Sequence, residues 1–154
     1  MAIQIGDKCP IFTLHNQHNE KVNIEDYFGK KNLVIYFYPK DDTPGCTKEA
    51  CSFRDQFEVF QSMETEVIGI SSDSPAKHKE FAETHRLNFI LLSDQDKAVR
   101  KAFGVPSSLF GLLPGRVTYI IDKNATVRGI YNSQTDPHGH ITKALETLKG
   151  LESA

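Results

Sequence analysis

The chain has 154 residues, a formal net charge of −2 and a hydrophobic content of 39%. A chain of this length can bury roughly two-thirds of its unfolded surface in one core, so we expect a single compact domain over residues 1–154. The small net charge gives no electrostatic basis for binding nucleic acid or an anionic membrane surface. No apolar stretch approaches the roughly 18 residues that indicate a membrane-spanning helix, so no membrane partner is expected.

The N-terminal sequence and the cysteine count bear on the cellular compartment. Residues 1–7 lack the basic and apolar regions of a secretory signal peptide. The three cysteines form an odd set, unlike the even disulfide framework of small secreted domains. The sequence therefore favours a reducing compartment, most simply the cytoplasm, and leaves organellar import open.

Apolar segments that alternate with polar turns predict a series of strands and helices. The predicted strands cover residues 11–14, 22–24, 33–38, 66–71, 89–92, 117–121 and 126–131. The predicted helices cover residues 44–63, 75–86, 97–103 and 137–148. The first two strands form an N-terminal β-hairpin, and the last two form an antiparallel hairpin. This order predicts an α/β fold in which a mixed sheet is flanked by helices on both faces.

The junction between the third strand and the first helix carries the strongest functional signal. Thr43 followed by Pro44 is typical of a helix N-cap and the first helical residue. Cys46 is then the third helical residue, close to unpaired N–H groups and the positive end of the helix dipole. This environment favours the reactive thiolate form of a cysteine. The alternative is that Cys46 is an inert, small hydrophobic residue.

Cys51 lies five residues after Cys46. In an unbroken helix this spacing separates the two Cα atoms by roughly 8–9 Å and turns the side chains about 140° apart. A disulfide needs Cα atoms within about 7 Å, so the pair could bond only if the first helical turn unwinds. The alternative is that Cys51 is buried on the core face of the helix and never reacts.

Residues 36–57 closely resemble the peroxiredoxins, and specifically the peroxiredoxin Q or bacterioferritin comigratory protein subfamily. The family pattern is a proline, three residues, a threonine, two residues and the peroxidatic cysteine. Pro39, Thr43 and Cys46 match it, and Cys51 matches the second cysteine of the subfamily. The combined motif is specific, whereas two cysteines at this spacing alone would be a weak signal.

The resemblance extends over essentially the whole chain. The family's distant active-site arginine, at the start of a late strand, matches Arg116. Residues 6–12 are similar to the family's opening segment, with Cys9 at a position where alanine is more usual. The resemblance implies a thioredoxin-like fold.

The resemblance also implies an activity, the reduction of hydrogen peroxide and organic hydroperoxides by a thiol. Cys46 would form a sulfenic acid while Thr43 and Arg116 hold the peroxide and Pro39 limits access of water. Cys51 would then form a disulfide with Cys46, which thioredoxin or a related dithiol protein would reduce. No metal, haem or flavin is needed, and we expect a monomer or a weak dimer.

Arg116 also has a direct interpretation from the sequence. An arginine that opens an otherwise apolar strand is costly to bury unless it is paired. A salt bridge with an acid such as Glu49 would satisfy it structurally. The same guanidinium could stabilise a thiolate and a polarised peroxide, and Glu49 could orient it.

The remaining polar clusters point to turns rather than to further sites. His138 and His140 lack a third ligand nearby, so we predict a solvated turn and no metal site. Asp41 and Asp42 are predicted turn acids. Because negative charge beside Cys46 would disfavour the thiolate, either both acids point to solvent or Lys40 and Arg116 outweigh them. Asp94 and Asp96 are likewise predicted to be turn or loop acids.

Two functions from other classes remain open on the sequence. A thioredoxin-like thiol–disulfide oxidoreductase would carry a Cys-x-x-Cys motif, which the chain lacks. A non-enzymatic redox sensor or holdase could use the oxidation of Cys46 and Cys51 to change a binding surface. Rapid turnover with thioredoxin would distinguish catalysis from such a single oxidation.

Overall fold

A computed structural model of the protein describes residues 2–105, 107–108, 113–133 and 136–152. The strands are β1 (Thr13–Asn16), β2 (Lys21–Asn23), β3 (Asn32–Phe37), β4 (Thr65–Ser71), β5 (Ile90–Ser93), β6 (Ser107–Ser108), β7 (Leu113–Pro114), β8 (Val117–Ile121) and β9 (Val127–Asn132). The helices are α1 (Pro44–Asp55), α2 (Phe57–Ser62), α3 (Pro75–His85), α4 (Ala98–Phe103) and α5 (Pro137–Glu152). A 3₁₀ helix covers Ile24–Tyr27.

Seven strands form one sheet in the order β2-β1-β5-β4-β3-β8-β9, and β6 pairs only with β7. The three central strands β5, β4 and β3 are parallel to one another. The strands on both sides, β1 with β2 and β8 with β9, run antiparallel to their neighbours. The predicted mixed sheet with an N-terminal hairpin is confirmed.

Strand β3 is buried on both faces because its side chains alternate between two hydrophobic clusters. Leu33, Ile35 and Phe37 belong to the cluster that includes residues of α4. Val34 and Tyr36 belong to the opposite cluster, which includes residues of α1, α2, α3 and α5. Helices therefore cover both faces of the sheet, as expected when parallel strands occupy its centre.

Two local predictions were wrong. The helix predicted over residues 44–63 is interrupted at Gln56, whose backbone has φ −102° and ψ 13°. The break lets Phe53 and Phe60 enter the same core with ring centroids 5.7 Å apart. Ile24, predicted as a strand residue, instead begins the 3₁₀ helix and is fully buried. Both departures serve packing that local sequence patterns do not specify.

The sheet brings two distant segments together at the carboxyl end of β3. Phe37 of β3 pairs with Val117 of β8 in an antiparallel register. The residue before β8 therefore lies beside the residue after β3, so Arg116 lies near the point where the chain leaves for α1. Within the described residues, no helix is long and apolar enough to cross a membrane.

Candidate active site

The first turn of α1 has the predicted geometry. Thr43 is extended, with φ −86° and ψ 150°, and Pro44 is the first helical residue, so Cys46 is the third. The Thr43 hydroxyl does not cap the helix. It donates instead to the carbonyl oxygen of Lys40 at 3.0 Å. Both lone pairs of that hydroxyl oxygen therefore stay available to accept a hydrogen bond from another molecule.

Cys46 is buried and lies against a fixed positive charge. Its Sγ accepts a hydrogen bond from Nη2 of Arg116 at 3.2 Å. The first turn of α1 contains no acidic residue, so the positive end of the helix dipole also acts on the sulfur. A Cβ atom at Gly45 would lie 3.1 Å from the same Nη2. The absence of a side chain at Gly45 therefore makes room for the guanidinium group.

The predicted pairing of Arg116 with Glu49 is present and buried. Nη1 of Arg116 donates to Oε1 of Glu49 at 2.6 Å. Glu49 lies three residues after Cys46, on the same face of α1, so one guanidinium group contacts both side chains. Burial lowers the pKa of Arg116, but Glu49 and Cys46 raise it, and the net shift is upward. The cation is therefore held in its charged form between two acidic groups.

Burial disfavours the charged form of Glu49. It raises the pKa of this carboxyl group from 4.5 to about 8, although Arg116 acts to lower it. The desolvation penalty on the buried carboxylate thus exceeds the stabilisation that the one guanidinium group provides.

His140 joins this cluster, and the prediction of a solvated turn was wrong for it. His138 is exposed, but His140 is fully buried at the start of α5. Its Nδ1 lies 2.7 Å from the Thr118 hydroxyl and 3.5 Å from Oε2 of Glu49, and its Nε2 lies 2.8 Å from the Ser133 carbonyl oxygen. Burial is the largest cause that lowers the His140 pKa to about 4.

No pattern in the sequence distinguished His140 from its neighbour. Both histidines occur in the first turn of a helix, and one residue separates them. Only the packing of α5 against α1 and β8 turns one ring inward. His140 and Thr118 are therefore site residues that sequence reasoning missed.

The other two cysteines occupy different surroundings. Cys51 is half-buried on α1, and all three thiols are free. The prediction that Cys46 and Cys51 share one helix is confirmed. Cys9 lies in the hydrophobic cluster on the other face of the sheet, and burial raises its pKa to about 12.

Of the two acids before the site only Asp42 points to solvent, so the alternative in which both do is wrong. Asp42 is exposed, with Oδ1 3.7 Å from Nε2 of His85. Asp41 is buried and accepts a hydrogen bond from the Tyr38 hydroxyl at 2.6 Å. Pro39, between Tyr38 and these acids, is half-buried.

The predicted loop acids Asp94 and Asp96 also differ from each other. Asp96 is exposed, whereas Asp94 is buried and accepts hydrogen bonds from the backbone N–H groups of Val99 and Arg100. Asp94 thus supports the start of α4. Before Arg116, residues 113 and 114 form β7, and residues 111 and 112 lie outside the described residues.

Among the described residues, Asp41, Asp73 and His78 place ligand atoms within 4.8 Å of one another, a spacing compatible with a metal ion. Hydrogen bonds already engage these atoms. Oδ2 of Asp73 accepts from the Asp41 backbone N–H and from the Ser71 hydroxyl, and His78 contacts Asp41 directly. We therefore interpret the group as a hydrogen-bonded network.

Comparison with known proteins identifies relatives across nearly the full chain. Residues 5–130 match the model of the AhpC/TSA family. A chloroplastic peroxiredoxin Q from Gentiana triflora is 52% identical over 149 residues, which are 97% of this chain and 67% of the relative. The corresponding protein from Sedum lineare is 50% identical over 147 residues, covering 96% of this chain and 78% of the relative.

Solved structures similar to this chain include further peroxiredoxins. The peroxidoxin BcpB from Mycobacterium tuberculosis superposes with a TM-score of 0.89 at 36% identity, covering 97% of this chain and 98% of that one. A cysteine-to-serine variant of PrxQ from Xylella fastidiosa gives a TM-score of 0.89 at 28% identity, covering 99% of each chain.

Proposed function

Because the chain belongs to the AhpC/TSA family and, within it, to the peroxiredoxins of the Q type, we propose that it is a thiol-dependent peroxidase with Cys46 as the peroxidatic residue. One observation supports this assignment most directly. The Cys46 sulfur, near the start of α1, lies 3.2 Å from the buried Arg116 guanidinium group. A fixed cation and a helix N-terminus both favour the thiolate, which is the nucleophile.

In the first step the Cys46 thiolate attacks the terminal oxygen of a hydroperoxide. A sulfur–oxygen bond forms, the oxygen–oxygen bond breaks, and the leaving oxygen takes a proton to become water or an alcohol. The Thr43 hydroxyl, which already donates to Lys40, can accept the peroxide's hydrogen. Pro39 would limit access of water to the site.

Arg116 would stabilise the negative charge that develops on the leaving oxygen. Its Nη1 and Nη2 are engaged by Glu49 and Cys46, and each of these nitrogens carries a second N–H group. The second N–H group of Nη2, beside the sulfur, is the donor that we assign to the substrate. Donors that are fixed before charge develops on an oxygen stabilise the transition state without reorganising.

In the second step the Cys51 thiol condenses with the Cys46 sulfenic acid, releasing water and forming a disulfide. Both residues lie on α1, so the first turn of this helix must unwind before the sulfurs can meet. Thioredoxin or a related dithiol protein would then reduce the disulfide and restore both thiols. The chemistry requires no metal, haem or flavin.

The assignment of the two cysteines can be tested by stopped-flow mixing of the reduced protein with hydrogen peroxide or an organic hydroperoxide. Cys46→Ser should abolish the oxidation step. Cys51→Ser should retain that step and lose turnover with thioredoxin, because only the second condensation is blocked.

Equal loss of the oxidation step in both variants would contradict these roles. Rapid oxidation of the wild-type protein without thioredoxin-dependent turnover would instead favour a redox sensor. Sedimentation of the reduced and oxidised forms would test whether the protein is a monomer or a weak dimer.

The relatives named as chloroplastic are longer than this chain, which covers 67% and 78% of the two compared above. We propose that the protein acts in a reducing compartment, either the cytoplasm or an organelle such as the chloroplast. Localisation of the full-length gene product fused at its C-terminus to a fluorescent protein would distinguish the two.

A further inference from the structure

Asp41 lies in the middle of the segment that carries the peroxide-binding groups, two residues after Pro39 and two before Thr43. Its neighbours in sequence, Lys40 and Asp42, are exposed, but only 2% of Asp41 is accessible. A buried carboxylate this close to a thiolate would be unfavourable unless other groups compensate its charge.

His78 on α3 provides that compensation. Its Nδ1 lies 2.7 Å from Oδ2 of Asp41, and its Nε2 lies 3.0 Å from the carbonyl oxygen of Leu92. Both ring nitrogens thus lie within hydrogen-bond distance of oxygen atoms, so the ring links Asp41 to β5. The buried His78 ring and the Asp41 carboxyl group therefore form a hydrogen-bonded pair, the Asp41–His78 pair.

Further hydrogen bonds hold the same segment. The Tyr38 hydroxyl donates to Oδ1 of Asp41, and burial raises the pKa of Tyr38 well above its usual value, so it stays a donor. The Asp41 backbone N–H donates to Asp73 at 2.8 Å, and Arg100 donates to the Tyr38 carbonyl oxygen at 3.0 Å.

These anchors come from elements other than α1. His78 belongs to α3, Leu92 to β5 and Arg100 to α4, while Asp73 lies in the connection between β4 and α3. The segment 38–41 is thus fixed to parts of the fold that do not have to move when α1 opens. Strong side-chain networks with satisfied donors and acceptors are rigid.

We propose that Asp41 and His78 are positioning residues of this peroxidase, which hold the segment carrying Pro39 and Thr43 in its peroxide-binding arrangement while the first turn of α1 folds and unfolds around it. The proposal rests on the peroxidase function proposed above. Neither residue touches the reacting atoms, and both act through the backbone of the segment. The boundary between the fixed and the moving part of the site then falls between Asp41 and Cys46.

Amide variants of the two residues test this role. Asp41→Asn and His78→Gln should each slow the peroxide step by about tenfold or more, because small misplacements of reacting groups are costly. Alkylation of Cys46 by iodoacetamide at alkaline pH should change by less than about twofold, since the Arg116 contact is untouched. Asp42→Asn is the matched control on the exposed neighbour, and it should leave both rates unchanged.

The double variant Asp41→Asn/His78→Gln distinguishes positioning from general damage. Two amides can rebuild the chain of hydrogen bonds from Tyr38 to Leu92 without charge, so the peroxide rate should recover at least in part. Single variants that react with peroxide at the wild-type rate would overturn the proposal. So would a parallel fall in the peroxide and alkylation rates.

Hydrogen exchange on the wild-type protein gives a test that does not depend on how the variants fold. The Asp41 amide should stay protected in both the reduced and the oxidised protein, while amides of residues 45–51 exchange faster after oxidation. Loss of protection at Asp41 together with residues 45–51 would overturn the proposal. A wild-type protein that fails to react with peroxide would instead contradict the proposed function itself.

Discussion

Cys46 and Cys9 are both buried free thiols, yet their surroundings on opposite faces of the sheet differ in charge. Cys9 has apolar neighbours, and burial raises its pKa to about 12. Cys46 has the Arg116 guanidinium at 3.2 Å and the N-terminus of α1 around it. Burial without a nearby cation disfavours the thiolate of Cys9, whereas the guanidinium group and the helix N-terminus beside Cys46 both favour negative charge on its sulfur.

Removing the cation should make the Cys46 environment resemble that of Cys9. In Arg116→Met we expect the peroxide step to slow by about a hundredfold, a loss typical of removing one transition-state donor. The pH profile of Cys46 alkylation should move to higher pH, since desolvation is no longer compensated. Stopped-flow oxidation and timed alkylation measure these two effects.

Arg116→Lys is the matched control for charge. Lysine keeps the positive charge but cannot contact Glu49 and Cys46 through two nitrogens of one planar group, so an intermediate rate is expected. A methionine variant with the wild-type rate and alkylation profile would mean that Arg116 is only structural.

Glu49→Gln should change how stability depends on pH, because burial raises the pKa of the Glu49 carboxyl group. The folded state keeps a proton on Glu49 up to a pKa of about 8, whereas the unfolded state releases it near 4.5. This contribution to stability is fully present below pH 4.5 and is lost as pH rises towards 8. Between pH 6.5 and 8 we expect the free energy of unfolding to fall by about 1 to 2 kcal/mol with glutamate and to change much less with glutamine.

The measurement compares both versions in a Cys46→Ser background by urea denaturation, so that the thiol does not titrate. His140 does not interfere in this pH range. Its pKa is lowered from 6.5 to about 4 in the folded state, so its contribution is lost only as pH falls below 6.5. An equal pH dependence with glutamate and glutamine would show that Glu49 is ionised throughout.

Cys9→Ala should have the smallest effect. We expect turnover to stay within about twofold of wild type, because Cys9 has no cation to favour its thiolate. Loss of one buried sulfur should lower the free energy of unfolding by about 1 kcal/mol. Thermal denaturation and the thioredoxin-coupled assay check the two values, and Cys9→Ser should destabilise the protein more because it buries a hydroxyl. A large loss of turnover in the alanine variant would contradict the contrast between the thiols.

Local rules allowed the start of α1 to be predicted from the sequence, because Pro44 favours the first helical position and keeps Thr43 extended through local sterics alone. The pairing of Arg116 with Glu49 followed from the cost of burying an unpaired arginine. Asp41 and His140 could not be predicted in this way. Each has a chemically similar neighbour that is exposed, Asp42 and His138, and only tertiary packing turns one of each pair inward.

Peptide mapping by mass spectrometry, after the reduced protein has reacted with one equivalent of hydrogen peroxide, tests the central claim most directly. The account predicts a disulfide between Cys46 and Cys51, with Cys9 still a free thiol. It also predicts no such disulfide in Arg116→Met under the same brief exposure. Oxidised Cys9, or a disulfide that joins Cys9 to Cys46 in the wild-type protein, would contradict it.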